Sequence, residues 1–408
     1  TADIYLINTC TVTYRADSES FNLIRRAKRE NPKAKIVVTG CLTELDEDKI
    51  NKIGNVSLIV KNKEKNKILD LVSGQNRLNE PNEQTSITKG SISYAEVSAS
   101  RRESSKRHFI RDFKGHTRAF LKIQDGCNNF CSYCKVPLVR GKPRSKPLND
   151  IIQEASELVK NGFKEIVLCG ICLGAYGKDL NPKITLAQVL AALEKIPGLF
   201  RIRLSSIEPK DVSDKLIERI ANSRKSCRHL HIPLQSGDDE ILKKMNRNYS
   251  RLDYLNLITK IKNRIPEIAI TTDVLVGFPG ESESAFRNSI GLIQEILPLR
   301  VHIFPYSPRD STPAFSFKDK VSTKIIKDRT LRLSDVAGSL ATTYKKQFLN
   351  KEMAVLVECQ SKRNSSFWEG YTDNYIKVLV ESRQNLKNQL VSLRLKRIVK
   401  DYVLADFC

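Results

Sequence analysis

The sequence predicts an α/β protein in three parts: an N-terminal parallel α/β domain, a central partial (βα)6 TIM-like barrel and a small C-terminal all-β barrel. Three observations carry this reading. Short apolar runs alternate with helix-period stretches over residues 1–74. The alternation resumes at residue 116 and continues to about 345. After residue 346 apolar runs follow one another with no helical stretch between them.

In residues 1–74, strands are expected at 4–7, 36–39 and 56–60, with a helix over 16–29. Two strands run into cysteines, as Asn8-Thr9-Cys10 and Gly40-Cys41. Both thiols then lie just past carboxyl ends of strands, where open α/β sheets hold ligands. Residues 75–115 lose periodicity and read as a linker. Arg101, Arg102, Lys106, Arg107, Arg111 and Lys114 make its second half basic, which suits a solvated tether or an RNA-contacting arm equally.

In residues 116–345, strands are expected at 119–123, 165–168, 201–204, 229–232, 268–276 and 301–304. Helices are expected near 149–161, 185–195, 211–222, 238–246, 251–264 and 283–296. Barrels of this kind place their chemistry at the carboxyl ends of the strands. In residues 346–408, strands are expected at 354–359, 367–371, 376–380, 390–395 and 403–407. This part carries Lys377, Arg394, Lys396 and Arg397 beside Phe367, Trp368, Tyr371 and Tyr375. Cations interleaved with rings suit single-stranded RNA. About half of those rings are expected in the core instead.

Lysine and arginine total 69 against 46 acids, a net charge of +23 over 408 residues. Such an excess favours a polyanionic partner, most simply nucleic acid. The ten cysteines form no disulfide-like framework. They suit metal ligation in a reducing compartment, so a cytoplasmic location is expected. No apolar run approaches the roughly 20 residues that span a bilayer. The first residues lack a basic start followed by an apolar stretch, so no signal peptide is expected.

The segment with the strongest chemistry is Gln124-Asp-Gly-Cys127-Asn-Asn-Phe-Cys131-Ser-Tyr-Cys134, directly after the first barrel strand. Three thiolates in one short loop match three irons of a 4Fe–4S cubane. The fourth iron is left to chelate the amino and carboxylate groups of S-adenosylmethionine. Electron transfer to the sulfonium then makes a deoxyadenosyl radical. The rival is a structural zinc site. Zinc wants four N/S ligands, and only His116 or a distant residue stands ready to complete the set.

Other residues carry weaker signals. Glu208, Gln235 and Asp273 fall at or just past strand ends, where polar groups meet a cofactor or substrate. Glu208 serves equally as a helix cap. Gly277 and Gly280 allow close approach to a ligand, or simply a tight turn. Cys169 and Cys172 form a CxxC at a strand end, for which buried small side chains are the favoured reading over redox or metal chemistry. Cys227, Cys359 and Cys408 have no partner pattern and read as structural.

The cysteine loop resembles that of the radical S-adenosylmethionine superfamily. The wider chain resembles its methylthiotransferases. The match runs through Ile7-Asn-Thr-Cys10, Val38-Thr-Gly-Cys41, Arg140-Gly-Lys-Pro-Arg144-Ser, His231-Ile-Pro-Leu-Gln-Ser-Gly237, Asp273-Val-Leu-Val-Gly-Phe-Pro-Gly-Glu281 and Phe304-Pro-Tyr-Ser-Pro308. Within that family, Ile171-Cys-Leu-Gly-Ala-Tyr-Gly177, Leu204-Ser-Ser-Ile-Glu-Pro209 and Trp368-Glu-Gly-Tyr-Thr-Asp-Asn-Tyr375 look most like the enzymes acting on threonylcarbamoyladenosine in tRNA.

The resemblance implies methylthio transfer to carbon-2 of that base, beside the anticodon. The alternatives are isopentenyladenosine in tRNA, an aspartate of a ribosomal protein, or, in another class, a non-catalytic metal-containing RNA-binding protein. The resemblance also implies a C-terminal TRAM domain for RNA and a second, auxiliary 4Fe–4S cluster. Cys10 and Cys41 match two of that cluster's three cysteines, and the first has no counterpart in this chain. One S-adenosylmethionine would methylate sulfur there and another would yield the radical. Arg140 and Arg144 would meet tRNA phosphates or the threonyl carboxylate, or form a surface ion pair. A flavodoxin or ferredoxin is the expected reductant, and a monomer or weak dimer the expected state.

Overall fold

The computed structural model describes residues 2–73 and 109–408. The linker residues Arg101, Arg102, Lys106 and Arg107 lie outside the described residues. Arg111 and Lys114 are exposed. The chain divides into two compact units near residue 109.

The first unit holds three parallel strands, β1 (Ile4–Thr9), β2 (Lys35–Gly40) and β3 (Leu58–Val60), in the order β1-β2-β3. The helix Tyr14–Glu30 buries only Ser20, Ile24 and Ala27. Most of its other residues are polar or charged, which gives the helix its amphipathic period, while Tyr14 and Leu23 are exposed. Ile24, Ile36, Val38 and Leu42 form the centre of the core. Each such buried side chain contributes about 1.5–3 kcal/mol. Thr9 pairs with Gly40 across β1 and β2, so Cys10 and Cys41 leave adjacent strand ends. Gly40 has φ +109°, and a Cβ there would stand 2.2 Å from the Thr9 carbonyl oxygen. Only glycine lets these ends approach so closely.

The second unit contains the barrel. Its strands are β4 (Arg118–Lys122), β7 (Glu165–Cys169), β8 (Arg201–Leu204), β9 (His229–His231), β10 (Ala269–Val276) and β11 (Arg300–Pro305). A two-residue hairpin, β5 (Gln124–Asp125) with β6 (Arg144–Ser145), frames the cysteine loop. The parallel sets β4-β7-β8 and β9-β10-β11 join through a bridge between Ser206 and His231. The result is the expected six-strand partial barrel. All six expected helices are present, with ends within a few residues of the sequence reading.

One long element was not expected. The helix Thr323–Lys346 buries only Arg329, Leu333, Ala337, Tyr344 and Lys345. Its apolar stripe is too sparse to announce a helix, and two of its five buried residues are charged.

β12 (Glu352–Gln360), β13 (Phe367–Thr372), β14 (Lys377–Glu381), β15 (Leu390–Val399) and β16 (Tyr402–Phe407) close a barrel in the order β12-β13-β14-β16-β15. This small barrel seats on the amino ends of the larger barrel's strands. Arg201 donates to the carbonyls of Tyr371 (2.9 Å) and Ala354 (2.6 Å), and Arg203 to that of Asp373 (2.9 Å). Buried Glu165 balances both arginines, at 3.7 and 2.7 Å. Arg118 pairs with Glu358 at 2.5 Å.

Tyr375 lies 4.6 Å, centroid to centroid, from the His229 ring, under Arg203 and stacked on Tyr371. Trp368 is 9% exposed. Trp368, Tyr371 and Tyr375 are therefore taken up by packing, and the RNA-facing rings expected from the sequence reduce to half-buried Phe367. Among the described residues no helix is long and apolar enough to cross a membrane.

Candidate active site

The cysteine loop leaves the carboxyl end of β4, opposite the small barrel. Its base is pinned by Gln124, 1% exposed, whose Nε2 donates to the Asp125 and Gly126 carbonyls. The Gln124 Oε1 accepts from the Cys172 amide at 2.8 Å, tying the loop to the end of β7. The far side is anchored by Ser132, whose amide donates to Met245 O at 3.0 Å and whose hydroxyl donates to Lys244 O at 2.8 Å. Buried Lys135 pairs with Asp310.

Each of the three sulfurs receives one N–H. Asn129 N lies 3.5 Å from Cys127 Sγ, Val136 N lies 3.4 Å from Cys134 Sγ, and Arg247 Nη1 lies 3.2 Å from Cys131 Sγ. Donors aimed at sulfur stabilise thiolate character and set cluster potential. A hydrogen bond from Cys172 brings the Cys127 thiol down to about 7. Burial raises Cys131 and brings Cys134 up to about 12, with Arg247 opposing both shifts.

The donor set fits a cubane and not a single ion. Ligands 2.3 Å from one zinc would stand about 3.8 Å apart. Among the described residues, the three thiols do not gather within 4.8 Å of one another as the set His231, Asp273 and His302 does. His116 is exposed beside Phe120 at the amino end of β4, on the far side of the barrel from the loop. It is no zinc ligand to these cysteines. Three thiols with one donor each therefore suit three irons, leaving the fourth without a protein ligand.

A cavity of about 760 Å³ opens beside the loop, lined by Cys127, Phe130, Lys142, Cys172, Lys210 and Asp211 among others. Its size suits a small-molecule cofactor. Cys172 is buried as expected, yet its thiol is no inert filler. It abuts Cys127 and lies 3.8 Å from both Asp211 Oδ2 and Asn129 Nδ2. Cys169 is half-buried, Cys227 is buried, and Cys359 and Cys408 are exposed. In the first unit Cys41 is buried and Cys10 exposed.

The other expected site residues divide. Glu208 makes no side-chain cap bond and instead pairs with Arg247 beside the loop. Gln235 sits at the barrel mouth with φ +67°, a conformation costly for a non-glycine residue, and is held there by a bridge to Val274. Asp273 faces His231 at 3.2 Å. Gly277 has φ +79°, but its amide donates to Glu281 and the space at its Cα is filled by Ile326, which is the tight-turn reading. Arg140 and Arg144 both approach Asp125, at 3.6 and 3.8 Å, which is the ion-pair reading.

Arg394, Lys396 and Arg397 are exposed on β15, where a register shift falls between Leu395 and Arg397. Lys377 pairs with Glu369 at 2.7 Å. Arg247 was missed by sequence reasoning. It lies in Lys244-Met-Asn-Arg247 after a short helix, and no periodicity or spacing points it at a cysteine 116 residues away.

The Radical SAM superfamily profile matches residues 121–293, and that of the uncharacterized protein family UPF0004 matches residues 1–83. A threonylcarbamoyladenosine tRNA methylthiotransferase of Bacillus subtilis is 37% identical over 100% of this chain and 88% of its own length. One from Thermotoga maritima is 35% identical over 99% and 88%. A tRNA-2-methylthio-N(6)-dimethylallyladenosine synthase of Clostridium tetani is 39% identical over 91% and 81%.

Among solved structures, the radical S-adenosylmethionine methyltransferase TsrM of Kitasatospora setae aligns with a TM-score of 0.56. It covers 77% of this chain and 66% of its own, at 15% identity, a likeness of fold. The relatives are enzymes by name, so the reading as a non-catalytic RNA-binding protein is not retained. The superfamily's cofactors are a 4Fe–4S cluster and S-adenosylmethionine, and the three thiols and their cavity fit them. The chain belongs to the methylthiotransferase family of radical S-adenosylmethionine enzymes.

Proposed function

We propose that this enzyme transfers a methylthio group to carbon-2 of N6-threonylcarbamoyladenosine in tRNA. The observation that carries the chemistry is the loop of Cys127, Cys131 and Cys134 with one N–H aimed at each sulfur. Relatives named for that base, matched over nearly their whole length, support the substrate. The Clostridium tetani relative supports dimethylallyladenosine as the second reading.

When bound, the cluster and S-adenosylmethionine supply one-electron radical chemistry. The protein positions and shields it. Gln124 and Ser132 fix the loop at both ends. Arg247 sets the charge beside Cys131 and holds the Glu208 carboxylate at the β8 end. Glu208 and Gln235 at the barrel mouth offer hydrogen bonds to the cofactor's polar groups. Cys10 and Cys41 supply two ligands of an auxiliary 4Fe–4S cluster. Arg394, Lys396 and Arg397 meet tRNA phosphates, and Arg140 and Arg144 add positive charge near the loop. A flavodoxin or ferredoxin supplies electrons to a cytoplasmic monomer or weak dimer.

Anaerobic reconstitution with iron and sulfide tests the cofactor assignment. The expected result is cluster absorbance and reductive cleavage of S-adenosylmethionine, both lost in Cys131→Ala. Zinc content with no cluster and no cleavage would overturn it.

A further inference from the structure

We propose that His231, Asp273 and His302 form a binding site for one divalent first-row transition-metal ion, separate from the cysteine loop. The three residues come from the adjacent parallel strands β9, β10 and β11. The register pairs Thr271 with His231 and Asp273 with His302. Residues of the opposite parity, Leu230, Ile270 and Val274, pack into the apolar layer under the helices. The triad therefore faces the barrel interior.

The geometry is that of a ligand set. One donor atom from each residue lies within 4.8 Å of the other two. His231 Nε2 and Asp273 Oδ2 are 3.2 Å apart. Ligands about 2.0–2.1 Å from one ion stand about 3 Å from each other, so this pair needs almost no movement to share a cation.

The outer contacts fit as well. His231 Nδ1 is 2.9 Å from Thr271 Oγ1, which leaves Nε2 turned to Asp273. Metal-bound imidazoles are commonly held this way through their second nitrogen. Thr271 is itself buried and reaches His229 Nε2 at 3.0 Å, so its hydroxyl is fixed from both sides.

Two imidazoles and one carboxylate supply two nitrogen donors and one oxygen donor for a cation. The side chains of His231 and Asp273 are 13% and 20% exposed, so an ion can reach them. Two histidines and one carboxylate leave coordination positions open. The set suits Zn²⁺, Fe²⁺ or Co²⁺ rather than Mg²⁺ or Ca²⁺, which prefer all-oxygen sites.

The test equilibrates anaerobically reconstituted full-length protein with Zn²⁺ and removes free metal. Zinc and iron are then counted, and the zinc ligands are read by X-ray absorption. The expected result is one zinc per chain with nitrogen and oxygen ligands only. His302→Gln and His231→Gln are each expected to weaken zinc binding at least tenfold, with iron content and circular dichroism unchanged. Zinc bound through sulfur would place it on vacated cysteines and overturn the proposal. So would no bound zinc, or zinc retained in both variants. The ligand identity in the unaltered protein decides the matter even where a variant fails to fold.

Discussion

Arg247 places Nη1 3.2 Å from Cys131 Sγ while its Nη2 holds Glu208 and its Nε lies 3.1 Å from the Tyr249 hydroxyl. The guanidinium is buried, and all three of its nitrogens have partners. A cation donating to a cluster thiolate stabilises the reduced, more negative state. Arg247→Met is therefore expected to move the cluster's midpoint potential to more negative values, by on the order of tens of millivolts. Potentiometry followed by electron paramagnetic resonance checks this at unchanged iron content. An unmoved potential would assign Arg247 a packing role alone.

Glu165 is the only acid that directly balances Arg201 and Arg203 at the junction of the two barrels, among the described residues. Arg203 and Arg201 hold its carboxyl below the usual range despite burial, which alone would raise it. Breaking a buried pair leaves an unpaired charge and costs about 3–5 kcal/mol. Glu165→Ala is expected to lose that much stability in denaturant melts. An exposed control, Lys396→Gln, is expected to change stability by less than about 0.5 kcal/mol.

Stability should also fall on mild acidification. Burial, reinforced by the Arg203 charge, holds the pKa of His229 well below its ordinary 6.5. Below about pH 6.5 the unfolded chain binds a proton that the folded chain refuses. Folding then loses up to about 1.36 kcal/mol per pH unit from this group. His302 shifts the same way and adds to the loss. Glu165, with its lowered pKa, contributes only at more acidic pH, below about 4.5. Melting temperatures measured from about pH 7.5 to 5.5 should drop in the native protein and drop less steeply in His229→Asn.

Much of this fold was legible because its signals are local. The barrel strands Glu165–Cys169 and Ala269–Val276 are short apolar-rich runs whose residues are nearly all buried, so composition marks them. The cysteine loop was legible because its ligands lie within eight consecutive residues. What was not legible depends on pairing across the chain. Arg247, the Gln124 latch and the Cys127–Cys172 contact join residues 45 to 116 positions apart. Tyr371 and Tyr375 look like RNA-stacking rings in sequence because nothing local reveals that Arg118 and Arg203 occupy their faces.

RNA binding should rest on charge more than on those rings. Arg394, Lys396 and Arg397 project from β15 as exposed cations. Replacing all three with glutamine is expected to lower the salt slope of tRNA binding by about 2–3, at roughly 0.7–0.9 per phosphate contact. Tyr371→Phe, which keeps the ring under Arg118, is expected to leave the slope unchanged. Filter binding across a range of potassium chloride concentrations reads both.

The central claim concerns one base in tRNA. Reconstituted enzyme is incubated anaerobically with reductant, S-adenosylmethionine and tRNA carrying either threonylcarbamoyladenosine or isopentenyladenosine, and the digested nucleosides are read by mass spectrometry. The account expects the 2-methylthio derivative of threonylcarbamoyladenosine, absent with Cys127→Ala. A methylthio group on isopentenyladenosine alone, or on neither base, would contradict it.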